Sequence, residues 1–148
     1  MNEELLYDMP QVVTCLLGHD GKILLLKRSN LVGTYRGLWG GVAGYIEKLE
    51  EPYDTAIKEI QEEVGISLDA LELIWKGDPI EISDNYAGRS YNWVVYPFLF
   101  HIKSKELVNL DWEHEEYRWV YPSEVKKFDT VPGLVEVVTK LLSASGNI

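Results

Sequence analysis

Residues 44–66 read GYIEKLEEPYDTAIKEIQEEVGI, and the reading of this stretch decides the fold. From Pro52 to Val64 the apolar residues Tyr53, Ala56, Ile57, Ile60 and Val64 recur at three- and four-residue spacing, the period of an amphipathic helix. Pro52 suits the first turn and Gly65 suits the C-cap. With about 100° per residue and Glu59 set at zero, Glu62 falls near −60°, Glu63 near +40° and Thr55 near −40°. The apolar residues occupy roughly +60° to +160°. One stripe can therefore pack on a sheet while three carboxylates face outward along its edge. Like charges at these spacings repel by a few tenths of a kcal/mol, and the helix C-terminus disfavours anions as well. Local propensity does not explain the cluster. A hard divalent cation would, because Mg²⁺ takes one or two carboxylates together with phosphate oxygens. On the helix alone a solvated acidic face remains the alternative.

The flanks are strand-rich. Gln11–Leu17 and Lys22–Lys27 are β-forming runs around Gly18-His19-Asp20-Gly21, and Asp-Gly between such runs signals a hairpin. Ser29–Gly44, with Gly33, Gly37, Gly40, Gly41 and Gly44, reads as a mobile loop leading into a tight backbone path. Leu71–Trp75, Ile80–Ser83 and the aromatic-rich Ser90–Ile102 are further strands, with Pro97 expected at an edge or bulge. Glu116–Val120 is a last short strand, Pro122–Lys127 a helical turn and Val131–Leu142 a second helix, with fraying expected over 143–148. Without a repeat or linker, residues 1–148 are expected to form one domain.

A formal charge of −10 argues against nucleic-acid and anionic-membrane surfaces, which need a basic footprint. An anionic small substrate would need a metal bridge. Cys15, the only cysteine, sits in an apolar run and reads as a core thiol in a reducing compartment. No run approaches the roughly 20 apolar residues of a membrane span, and Met1–Pro10 lacks a basic leader, so a cytoplasmic location is expected.

The 44–66 segment resembles the Nudix box, G-x5-E-x7-R-E-U-x-E-E-x-G-U with U aliphatic, of the MutT-like Nudix hydrolases. Gly44, Glu50, Glu59, Ile60, Glu62, Glu63, Gly65 and Ile66 match in register, and only Lys58, in place of Arg, departs. The resemblance implies an α/β/α sandwich around a mixed β-sheet, with the box as a loop–helix–loop that binds Mg²⁺ or Mn²⁺. It also implies hydrolysis of a phosphoanhydride in a nucleoside diphosphate linked to another moiety, such as a nucleoside triphosphate or ADP-ribose. Carried over residue by residue, Glu59, Glu62 and Glu63 would ligate metal, with the carbonyl of Ala43 a further ligand. Glu59 or Glu62 would orient the attacking water, Gly44 would permit close approach, and Glu50 would hold the loop by pairing with Lys58. Lysine keeps the charge of arginine but not its planar fork, so weaker orientation of Glu50 and Glu59 is expected. The same departure keeps a rival reading open, a catalytically silent Nudix-like module that binds a nucleotide or a protein.

Outside the box, Arg28 is a candidate for substrate phosphates, and Arg36 a weaker one. Glu113 or Glu115 could be a loop base, set against a solvated turn. Trp39 reads as core packing under the box more than base stacking. Tyr86, Tyr91 and Trp93 read as sheet packing more than a base pocket. His19, His101 and His114 lack ligand spacing, and none suggests a zinc site. The expected partner is a small nucleotide, and the aromatic-rich strand could supply a homodimer face.

Overall fold

The computed structural model describes residues 9–145. Its strands are β1 (Gln11–His19), β2 (Lys22–Arg28), β3 (Trp39–Gly40), β4 (Val42–Tyr45), β5 (Leu71–Lys76), β6 (Ile80–Tyr86), β7 (Arg89–Ile102) and β8 (His114–Val120). Among the described residues the α-helices α1 (Pro52–Val64) and α2 (Leu134–Ser145) join them, with 3-10 turns at Leu68–Ala70, Lys105–Leu107 and Pro122–Lys127. The strands form one mixed sheet with the backbone order β3-β2-β1-β7-β5; β4 adds to β1, β6 to β7 and β8 to β2. Only β1 and β7 run parallel, over Gln11–Gly18 against Val94–His101.

Side-chain alternation explains the layers. Val13, Cys15 and Leu17 of β1, Leu24 and Leu26 of β2, and Phe98, Phe100 and Ile102 of β7 share one face, where they bury Ala56, Ile60 and Val64 of α1. Leu16, Ile23, Leu25, Val95 and Leu99 point the other way onto Leu134, Val137, Val138 and Leu141 of α2. A strand buried on both faces reads as an unbroken apolar run, which is why Leu24-Leu25-Leu26 shows no polar alternation. Burying each large aliphatic side chain contributes about 1.5–3 kcal/mol. The result is an α/β/α sandwich with a mixed sheet.

The β1–β2 hairpin closes on Asp20 and Gly21, both at positive φ (51° and 76°), and His19 pairs with Lys22. Two left-handed residues match the twist of the strands they join. Helix α1 ends on Gly65 at φ 71°, whose N–H donates to the Gln61 carbonyl at 3.0 Å. The Cys15 thiol is buried and pushed up by that burial, consistent with a core thiol.

Several expectations need correction. The stretch from Ser29 to Gly44 is not loop throughout, since β3 pairs with Leu26 and Lys27, and β4 with Val12–Cys15. Gly41 makes this possible, because a Cβ there would lie 2.8 Å from the Cys15 carbonyl oxygen. Pro97 is neither at a sheet edge nor in a bulge. It lies mid-strand where the neighbour of β7 changes from β6, paired up to Val95, to β5, paired from Phe98. On that side Gly77 donates to the Pro97 carbonyl at 3.0 Å, so the missing proline N–H faces the crossover between two strands. Helix α2 starts at Leu134, after Pro132 and the positive-φ Gly133, and continues to Ser145 instead of fraying from Ser143. Residues 1–8 and 146–148 lie outside the described residues, and with them most of the N-terminal segment considered above. No helix among the described residues is long and apolar enough to cross a membrane.

Candidate active site

Helix α1 lies against β4 and the segment 109–114 that precedes and opens β8. That segment is stitched to the C-terminal end of the helix: Asn109 N–H donates to the Val64 carbonyl at 2.9 Å and Asp111 N–H to the Glu63 carbonyl at 3.1 Å. These bonds satisfy carbonyls a helix end would otherwise leave to water. Its far end is tied to β2, where Ser29 N–H donates to the Glu113 carbonyl and Ser29 Oγ–H to the Trp112 carbonyl, both at 2.8 Å. A register shift between Lys27 and Arg28 sets Arg28 opposite His114. Bulges of this kind re-aim side chains next to functional sites.

The loop before the helix is latched by Glu50. Lys58 Nζ donates to both Glu50 oxygens, at 3.2 and 3.1 Å, and Thr55 Oγ1–H donates to Oε1 of the same carboxylate. The Thr55 bond first, then Lys58, holds the Glu50 carboxyl below its usual range, while the bond to Glu50 raises Lys58. Glu59 packs against Gly44, where a Cβ would fall 2.6 Å from Glu59 Oε1 and would also collide with Cδ. A side chain at this position would have to displace the Glu59 carboxylate.

The three acids of the helix differ in burial. Glu62 is exposed, Glu59 half-buried, and Glu63 is 2% exposed. The expectation that all three face outward therefore fails for Glu63. It is the nearest of them to the apolar stripe, and the 109–114 segment closes over it. Ala43 N–H donates to Glu63 Oε1 at 3.4 Å, whereas Oε2 is buried with no hydrogen-bond partner. Burial foremost, then the neighbouring Glu59 carboxyl and the Glu113 charge, push the Glu63 carboxyl well up. Burial likewise raises Glu59 and Glu113. Arg28 offsets part of the effect on Glu113, and its Nε–H donates to the Thr34 carbonyl at 3.0 Å.

His114 joins this group, although the spacing of the histidines gave no sign of it. Its Nε2 lies 3.7 Å from Glu63 Oε1 and its Nδ1 3.3 Å from Asp111 Oδ1, with the side chain only 3% exposed. Burial lowers its basicity against the pull of Asp111. Glu63, Glu113 and His114 each bring a ligand atom within 4.8 Å of the other two, a spacing that could hold a metal ion. The dispersal of histidines hid this, and the one available signal was the position of His114 inside the acidic run of residues 111–116.

Other candidates lie elsewhere. Glu115 faces Lys27 at 3.5 Å, and Arg36 Nε–H donates to the Val32 carbonyl at 2.7 Å. Trp39 packs on the α2 face, edge-on to Phe128 at 5.5 Å, and so lies across the sheet from the box helix. Tyr86 meets Tyr35 at 4.4 Å and Tyr91 at 6.5 Å, while Trp93 borders the α2 core. His19 stacks on His101 at 5.5 Å, and His19 Nδ1 lies 2.8 Å from the Ile102 carbonyl oxygen.

Fold and site together define an α/β protein that gathers carboxylates and one imidazole at the C-terminal half of a single helix. The NUDIX domain model matches residues 8–141, and the chain belongs to the Nudix hydrolase family, as a pyrophosphohydrolase. The nucleoside triphosphatase NudI of Escherichia fergusonii is 25% identical over 125 residues, covering 80% of this chain and 86% of its own. The structure of the E. coli dihydroneopterin triphosphate pyrophosphohydrolase superposes with a TM-score of 0.74 at 18% identity, over 90% of this chain and 94% of that one. An Ap4A hydrolase from C. elegans gives 0.69 at 18% identity, over 91% and 96%. At these identities the structural matches establish the fold.

Proposed function

We propose that this chain hydrolyses a phosphoanhydride bond of a small nucleotide, a nucleoside triphosphate first among them, with Mg²⁺ or Mn²⁺ held by Glu59, Glu62 and Glu63. The observation that carries this reading is the buried, unpartnered Oε2 of Glu63. Leaving such an oxygen without a partner costs about 1–3 kcal/mol or more, and a bound cation removes that cost. The close approach at Gly44, which brings Glu59 against the β4 backbone, fits the same group.

When bound, the metal supplies a Lewis acid that draws charge from the phosphate oxygens. The chain supplies the rest. Gly44 and Glu63 fix Glu59 from two sides. Exposed Glu62 meets the incoming phosphates at the mouth. Glu50, Thr55 and Lys58 hold the loop that joins α1 to β4, the strand that carries Ala43 and Gly44. Glu113, raised by burial and facing Glu59, Glu62 and Arg28, can hold a water against phosphorus and accept its proton, as can Glu59. Arg28 is pinned through Nε at a small cavity of about 40 Å³ that Thr14, Gly41 and Ala43 also line, where it would bind phosphate oxygens.

Room for the nucleoside lies beyond. Val131 and Pro132 border both that small cavity and one of about 520 Å³ lined by Ile80, Ile82, Asp84, Gly133 and Glu136. Its walls mix apolar Ile80, Ile82 and Val131 with acceptors on Glu81, Asp84 and Glu136, which suits a heterocycle that carries hydrogen-bond donors. The similarity to NudI, a nucleoside triphosphatase, is the reason for placing triphosphates first.

Turnover decides the matter. Purified protein is incubated with nucleoside triphosphates, ADP-ribose and diadenosine polyphosphates plus Mg²⁺ or Mn²⁺, beside Glu62→Gln, and phosphate is read after phosphatase coupling. Metal-dependent release that Glu62→Gln abolishes supports the proposal. Silence across the panel, with nucleotide still raising the melting temperature, moves the reading to a binding module.

A further inference from the structure

We infer that His114 is a metal ligand, and that Glu63, Glu113 and His114 form an inner cradle selecting a nitrogen-accepting divalent ion of the Mn²⁺, Co²⁺ or Zn²⁺ class over Mg²⁺. This rests on the metal-binding part of the proposed function and adds to it two ligands, His114 and Glu113, and a metal preference, leaving Glu59 as the carboxylate that holds the attacking water.

Four observations converge. The imidazole is already oriented as a ligand would be. Its Nδ1 faces Asp111 Oδ1 at 3.3 Å, so a proton on Nδ1 is used there and the lone pair is left on Nε2. Metal-bound histidines almost always donate their second N–H to a carboxylate, a backbone carbonyl or water, which fixes the tautomer. Nε2 then looks toward Glu63 Oε1 at 3.7 Å, too far for a hydrogen bond. Two ligands about 2.0–2.2 Å from a shared ion would stand about this far apart. The side chains of His114 and Glu63 are each only 3% exposed, and Glu63 Oε2 is buried with no hydrogen-bond partner. Finally, the ring is held by backbone at both ends of its segment, through Asn109 and Asp111 to the helix and through Ser29 to Glu113.

The donor set sets the preference. Mg²⁺ favours oxygen ligands in octahedral geometry and retains waters, whereas imidazole suits Mn²⁺, Co²⁺ and Zn²⁺ progressively better. Two carboxylates and one imidazole are three protein ligands, which leaves room around the ion for water or a phosphate oxygen.

The experiment titrates metal-free protein with Co²⁺, read by the visible absorption of the bound ion, with Mg²⁺ as competitor. The unsubstituted chain is expected to hold Co²⁺ well above Mg²⁺. His114→Gln is expected to lower Co²⁺ affinity by roughly 10–100-fold or more, with a change in the absorption bands, and to alter Mg²⁺ affinity far less. An unchanged Co²⁺ affinity, or equal losses for both ions, overturns the inference. If His114→Gln does not fold, ¹⁵N NMR of the unsubstituted protein decides: Zn²⁺ must move the Nε2 resonance of His114, and a fixed resonance at saturation refutes ligation. Absence of turnover on every nucleotide would sink the hydrolase reading and leave these binding results intact, so the two failures are distinguishable.

Discussion

Helices α1 and α2 are of similar length, 13 and 12 residues, and cover opposite faces of one sheet, yet they are built to different ends. The buried side of α2 is aliphatic, with Leu134, Val137, Val138 and Leu141 at 4% exposure or less. The buried side of α1 carries Ala56, Ile60 and Val64 but also Thr55 and Glu63. One helix closes the core. The other closes it and at the same time holds a carboxylate where solvent cannot reach it. Such a carboxylate weakens the protein unless something binds it, and the contrast is the reason for proposing the site on the α1 side.

The sharpest way to break this contrast is to make one substitution on each helix. Glu59→Gln should reduce turnover on the order of 10³-fold, the scale of losing one charge-stabilising group at a reacting centre, with the urea midpoint nearly unmoved. Leu141→Ala should do the opposite, costing about 2–5 kcal/mol in urea unfolding while the folded fraction keeps its turnover. If Leu141→Ala abolished turnover in fully folded protein, the division of labour would be wrong. Next in size is Gly44→Ala, whose new methyl would overlap the Glu59 carboxylate. Turnover should fall at least tenfold with metal affinity, seen by calorimetry, and an unperturbed enzyme would show that Glu59 does not need its place in the cradle.

The smallest effects belong to the latch. Glu50 is held below the usual carboxylate range by Thr55 and Lys58, so its contribution to stability is present above that range and lost as pH falls through the lowered value. Glu50→Gln should flatten that acid limb in thermal melts taken across pH, and an identical limb would place the titration elsewhere. Lys58→Arg should change turnover only a few-fold, because Lys58 already meets both Glu50 oxygens. A large gain would show that the missing fork of arginine matters after all.

How much of this was legible in the sequence follows from the range of each signal. Helix α1 was readable from Pro52 to Gly65 because its period, its start and its cap are local. Glycine spacing concealed β3 and β4, which owe their existence to distant partners in β1 and β2 and to the close approach at Gly41. The burial of Glu63 and the approach of His114 to it were unreadable for one shared reason. A helical wheel gives direction but not what lies above the helix, and the 109–114 segment that buries Glu63 and delivers His114 arrives from 46 or more residues downstream. Pro97 was likewise unreadable, since the switch from β6 to β5 beside it is a property of the assembled sheet.

The central claim is that α1 keeps Glu63 buried for a cation and not for stability. Urea unfolding of the unsubstituted chain and of Glu63→Gln, each with and without saturating Mn²⁺, tests it most directly. The expected result is that without metal Glu63→Gln is at least as stable as the parent, by up to about 1–3 kcal/mol, and that Mn²⁺ stabilises the parent alone. A metal-free Glu63→Gln less stable than the parent, or one that Mn²⁺ stabilises equally, would contradict it.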